Sequence, residues 1–119
     1  MTLYFLFNPT VRPNPPHNLL ISNTTSRTLT VSWSAGFNGN SEITLYKVNI
    51  TQDNITLEDV SCQGSFIDSS CTLPGVVTSV TLKDLHPFTT YYLRVLAVNI
   101  IGQSEASEVV KATTGEEGV

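Results

Sequence analysis

Between Asn18 and Thr114 apolar and polar residues alternate with a period of two, the pattern of strands whose two faces meet different surroundings. Leu19 and Ile21 alternate with polar neighbours before the turn-forming run NTTSRT. Leu29, Val31 and Trp33 alternate with Thr28, Thr30, Ser32 and Ser34, which predicts a half-buried strand. The breaker-rich GFNGNSE follows, and then Ile43 to Thr51, with Tyr46, Val48 and Ile50 on one face. Val80 and Leu82 share a face in a third strand, with Leu85 just beyond it. Tyr91, Leu93, Val95 and Ala97 line the inner face of a fourth, and Val109 to Thr113 makes a short last one. β-Branched and aromatic residues abound in these runs, as pleated surfaces favour. No amphipathic window of helical length appears. Short strands separated by turns predict an all-β, two-sheet antiparallel Greek-key sandwich of seven strands.

The chain has 119 residues, enough for one domain. Residues 14–114 form that domain. Residues 1–13, with the apolar but short MTLYFLF, read as linker or expression remnant, because no basic segment precedes the apolar run of a signal peptide. Residues 115–119 read as an acidic linker. Charged residues make up only 13%, so the surface relies on uncharged polar groups. A net charge of −4 disfavours nucleic acid and anionic membrane as partners, since both need a positive footprint, and no direct membrane insertion is expected, because no apolar run approaches the roughly 20 residues of a bilayer-spanning helix.

The two cysteines, Cys62 and Cys71, flank QGSFIDSS, whose glycine and small polar residues let the chain fold back. They form either a disulfide or two free thiols. Three N-x-[ST] sequons, at Asn23, Asn49 and Asn54, favour an extracellular setting and with it the bridge. Parity turns Asn49 toward solvent if Val48 and Ile50 point inward, and Asn23 and Asn54 fall in connections.

Catalytic chemistry finds no support in the residues. His86 lies in a turn between Leu85 and Pro87, and His17 at the domain edge. Asp53, Glu58, Asp59 and Asp68 are scattered without cation-loop spacing. No phosphate loop, GxSxG or HExxH occurs. No catalytic residue, cofactor or metal is expected.

The residues resemble the fibronectin type III domain from about Pro13 to Thr114. PPHNLLISNTTSRTLTVSW looks like that family's first two strands, ending on its core tryptophan, here Trp33. NSEITLYKV is similar to its third, with Tyr46 and Val48 at core positions. The most specific run is Leu85-x-Pro87-x-Thr89-x-Tyr91-x-Leu93-x-Val95-x-Ala97-x-Asn99-x-x-Gly102. The resemblance implies that Leu85 plugs the core, and that Tyr91 is a tyrosine corner with its hydroxyl bonded to upstream backbone. An extra strand is expected at Leu57 to Cys62, followed by a loop reaching Thr78. Neither an Arg-Gly-Asp nor a tryptophan-bearing WSxWS box is present; GQSEAS stands where the latter would be.

What remains is surface. Parity puts Leu45, Tyr92, Leu96 and Val98 together on one outward sheet side, with Lys47 and Arg94 among them, and Ile100 and Ile101 at the following loop tip. These six apolar residues are the candidate protein-binding surface; alternatively they are ordinary exposed residues, or are covered by a neighbouring domain. The resemblance implies a non-catalytic interaction and spacer module in the ectodomain of a single-pass receptor or adhesion protein. Its partners would be proteins and neighbouring domains. The alternatives are a passive spacer and an accessory module of a secreted carbohydrate-active enzyme.

Overall fold

The computed structural model describes residues 8–52 and 60–117, and in them the alternating runs become eight strands. They are β1 (His17–Ser22), β2 (Leu29–Ser34), β3 (Leu45–Thr51), β4 (Ser65–Ile67), β5 (Ser70–Pro74), β6 (Ser79–Leu82), β7 (Thr90–Val98) and β8 (Val110–Thr113). Two antiparallel sheets, ordered β1-β2-β6 and β4-β5-β3-β7-β8, face each other as a sandwich. Strand pairing sets Val31 beside Val80 in one sheet. In the other it aligns Tyr46, Val48 and Ile50 with Ala97, Val95 and Leu93. All of these side chains are buried between the layers. Trp33 meets Tyr46 edge to face, ring centroids 5.3 Å apart at 63°, a geometry that suits the two ring quadrupoles. The small Ala97 is the cross-strand partner of Tyr46.

At the far end the chain crosses between sheets. Leu85 is fully buried there, and its N–H donates to the Arg27 carbonyl at 3.0 Å. The Tyr91 hydroxyl accepts the His86 N–H at 2.8 Å, while burial raises the phenol's pKa above its ordinary value. Thr114 completes the corner. Its hydroxyl donates to the His86 carbonyl at 2.6 Å and accepts the Thr89 N–H at 2.9 Å. Tyr91→Phe leaves the His86 N–H without its acceptor and should cost about 1–2 kcal/mol. An unchanged urea midpoint would remove that role from the hydroxyl.

The region between β3 and β6 departs from expectation. Leu57–Asp59 lie outside the described residues, and Val60–Cys62 form no strand; Ser61 makes only an isolated bridge to Lys83. The strand beside β3 is instead Ser70–Pro74, with Ser65–Ile67 as an added edge, which raises the count from seven to eight. The reason is the turn. Asp68 and Ser69 both take left-handed φ values, 53° and 62°, the conformation a tight two-residue hairpin requires. The strands it joins are short, so sequence periodicity carries little signal. Gly64 lets the chain lie close to β5, since a Cβ there would sit 1.9 Å from the Thr72 carbonyl oxygen.

A disulfide joins Cys62 to Cys71. Ser61 holds the end of β6 through Lys83 and Asp84, and Cys71 sits in β5 of the opposite sheet. The segment Val60–Cys62 therefore closes one open side of the sandwich, with Val60 tucked into the core.

Candidate functional site

One end of the sandwich gathers three connections: the entering segment, the β2–β3 loop and the β7–β8 connection. Asn99, 3% exposed, holds them together. Its Nδ2 donates to the carbonyls of Val11 (2.7 Å) and Asn38 (2.9 Å). Its Oδ1 accepts the N–H groups of Ile101 (2.9 Å) and Gly102 (3.2 Å). A buried carboxamide with every such partner filled rigidifies the elements it joins. Gly39 adds to the seam: Val11 N–H donates to its carbonyl at 2.9 Å. Its φ is +78° and a Cβ would lie 2.0 Å from the Val11 oxygen, so only glycine fits. Residues 11–13, expected to be linker, are thus docked on the domain, and Pro13 is buried.

The serines of GQSEAS have a structural task. Before β8 begins, Ser104 and Ser107 accept the N–H groups of Ala97 and Val95, each at 2.9 Å. Their own N–H groups donate to the carbonyls of the same two residues. Hydroxyls thereby stand in for missing strand acceptors and keep this connection against β7. On the rigid frame sit exposed apolar side chains: Val11 (46%), Phe37 (51%), Ile100 (79%) and Ile101 (53%). Ile100 and Ile101 were expected there. Phe37 was not singled out, because an aromatic in a breaker-rich loop has no periodic neighbour to reveal its side.

The outward face of the larger sheet differs from its expected appearance. Leu45, Tyr92 and Val98 are half-buried, and Leu96 is only 8% exposed. Leu96 is therefore no exposed anchor. Its cross-strand neighbour is Lys47 on β3, whose Nζ reaches Gln103 Oε1 at 3.1 Å. Gln103 bridges Val98 from the other side of β7. The lysine stem consequently crosses β7 and lies over the leucine, an aliphatic cover with a solvated head.

Asn49 occupies the middle of this face, between Ser70 and Arg94. Its side chain is half-buried, and Oδ1 accepts a hydrogen bond from the Ser70 hydroxyl. Asn23 is exposed in the turn after β1, at φ 49°. Asn54 lies outside the described residues, as do Asp53, Glu58 and Asp59. Both histidines are exposed. Among the described residues no three His, Cys, Asp or Glu side chains converge.

The family model described as "Fibronectin type III domain" matches residues 14–113. The chain is 36% identical over 106 residues to human receptor-type tyrosine-protein phosphatase F, covering 88% of this chain and 5% of that protein. It is 34% identical over 110 residues to the human cell adhesion molecule DSCAM, covering 87% and 5%. The chain thus spans about a twentieth of these relatives, and the match to the phosphatase covers that segment alone. Among solved structures, the fn3 domain of the human collagen alpha-1(XX) chain superposes with a TM-score of 0.71 at 25% identity, covering 92% of each chain. Titin domains A168–A170 superpose at 0.68 and 24% identity, covering 88% of this chain and 33% of that one, a likeness of fold alone.

Proposed function

The chain belongs to the fibronectin type III domain family, and from that membership we propose that it is a non-catalytic protein-interaction module of a cell-surface receptor or adhesion protein. The observation that carries this reading is the loop end. Val11, Phe37, Ile100 and Ile101 present apolar surface on connections that Asn99 already holds in place. Apolar anchors on rigid loops lose little conformational freedom on binding, which makes them effective contacts. The sheet face contributes Leu45, Tyr92 and Val98 as its flank, with Leu96 supporting from beneath Lys47. The domain spans residues 14–114, with its flanking segments leading to neighbouring modules.

An extracellular ectodomain is the setting that fits. The relatives carry receptor and adhesion names, the disulfide suits an oxidising compartment, and Asn23 offers an exposed sequon. A panel of cell-surface ectodomains tests the reading. A partner that binds the wild type should bind Ile100→Asp/Ile101→Asp at least tenfold more weakly, with the thermal midpoint unchanged. A panel in which nothing binds, or in which every partner binds both forms alike, would count against it.

A further inference from the structure

The β2–β3 loop holds an asparagine in a reactive setting. Asn38 is the only asparagine of the chain that precedes a glycine. A five-membered ring closes when a backbone nitrogen attacks the carboxamide carbon of the asparagine before it, chemistry that makes asparagine a labile residue. A Cβ on the attacking residue crowds that approach, and Gly39 has none. Asn38 is exposed, so solvent reaches its carboxamide. Among the described residues no backbone carbonyl accepts the Gly39 N–H, and its proton can pass to a solvent base. The turn adds electrophilic help. Asn40 N–H donates to Asn38 Oδ1 at 2.9 Å, across backbone that is left-handed at Gly39 and Asn40, with φ of 78° and 67°. Asn40 is itself fixed, because its Nδ2 donates to the Pro9 carbonyl at 3.0 Å. A donor set on this oxygen polarises the carboxamide carbon and stabilises the negative charge that develops there as nitrogen adds, as an oxyanion donor does.

We propose that Asn38 deamidates spontaneously in the folded domain, through a succinimide formed with Gly39. The Gly39 nitrogen gives up its proton and bonds to Asn38 Cγ; the Cγ–Nδ2 bond breaks, and Nδ2 takes a proton from water and leaves as ammonia. Water then opens the ring. Attack at Cγ gives aspartate. Attack at the former backbone carbonyl breaks its bond to the Gly39 nitrogen and gives isoaspartate, with the chain rerouted through Cβ and Cγ. That carbonyl is the one to which Asn99 Nδ2 donates at 2.9 Å, and it becomes a free carboxylate. The longer backbone displaces Gly39, which has no room to shift: even a Cβ there would lie 2.0 Å from the Val11 oxygen. The isoaspartyl route therefore loosens the seam between the entering segment and the loops. The reaction needs only water, so the site stands or falls separately from the protein contact proposed above.

The test incubates the disulfide-bonded protein in mildly alkaline buffer at body temperature, beside the same chain unfolded in guanidinium. Peptide mapping of the native protein should find the mass gain of an amide-to-acid exchange at Asn38 first, ahead of the exposed Asn23 and Asn40, which precede Thr24 and Ser41. An isoaspartyl methyltransferase should label the same peptide. Asn38→Ser, which keeps an acceptor for the Asn40 N–H, should show neither the gain nor the label. The isoaspartyl fraction, isolated by chromatography, should melt below the unmodified protein. An amide that persists at Asn38 in the native protein while the unfolded chain converts, earlier conversion at Asn23 or Asn40, or a product that is all aspartate would overturn the assignment. Equal melting of the two fractions would overturn the effect on the seam.

Discussion

Replacing Asn99 by alanine should destabilise the domain by about 2–4 kcal/mol, among the largest effects of any single polar substitution in it. Four partners lose their bond at once, two carbonyls and two N–H groups drawn from three separate connections. Each is worth about 1 kcal/mol when water can replace the lost partner, and more where it cannot. Asn99→Asp should fall closer to alanine than to wild type. It keeps the acceptor for Ile101 and Gly102 but places a carboxylate against the Val11 and Asn38 carbonyls. Urea unfolding gives the stability. Amide hydrogen exchange reports the local effect, and the Ile101 and Gly102 amides should exchange faster than the β2 and β3 ladders do. A midpoint shift worth less than about 0.5 kcal/mol, the scatter of ordinary surface substitutions, would show that the loops hold together without this side chain. Because the exposed apolar residues stand on these loops, the same substitution should weaken any partner bound through them.

The second large effect is expected from the disulfide. Cys62 and Cys71 are nine positions apart, and closing so short a loop restricts the unfolded chain by about 2–3 kcal/mol in the chain-entropy model. The double substitution Cys62→Ala/Cys71→Ala should remove that stabilisation, and it also leaves space where the fully buried Cys71 packed. The loss should concentrate in one place. Val60–Cys62 connects the end of β6 to β5, so exchange of the β4–β5 amides should speed up before the β3–β7 ladder changes. Equal stability of the reduced and oxidised forms in urea would mean that Gly64, the hairpin turn and the Ser61–Lys83 bridge close this side alone.

Some of this is legible in the residues because it is local. Strict alternation places Leu29, Val31 and Trp33, and Tyr46, Val48 and Ile50, on inner faces whatever they pair with, since a strand has only two sides. The motif from Leu85 to Gly102 led to the family for the same reason: its spacings are offsets along one strand and its two ends. Asn99 was part of that motif, but its four bonds were not readable, because its partners at Val11 and Asn38 are far away in the chain.

The hairpin shows where local signals fail. Ser65–Ile67 and Ser70–Pro74 are too short for alternation to distinguish strand from loop, and pairing with β3 decides the outcome. Leu96 and Phe88 make the same point differently. Parity turns Leu96 outward correctly, but it is 8% exposed, and the reach of Lys47 to Gln103 across β7 is a tertiary contact. Phe88 is exposed with a left-handed φ of 47°, and its N–H donates to the Gly115 carbonyl across the corner.

The amino-acid sequence alone determined where the longer strands lie, which side of each faces the core, and the net negative charge, because each depends on near neighbours or on a simple sum. Tertiary structure alone decided which distant side chains share a surface. Strand register brought Lys47, Arg94 and Lys111 onto one side of the larger sheet and Asn99 to the meeting of three loops; such pairings link residues tens of positions apart, and no period along the chain encodes them.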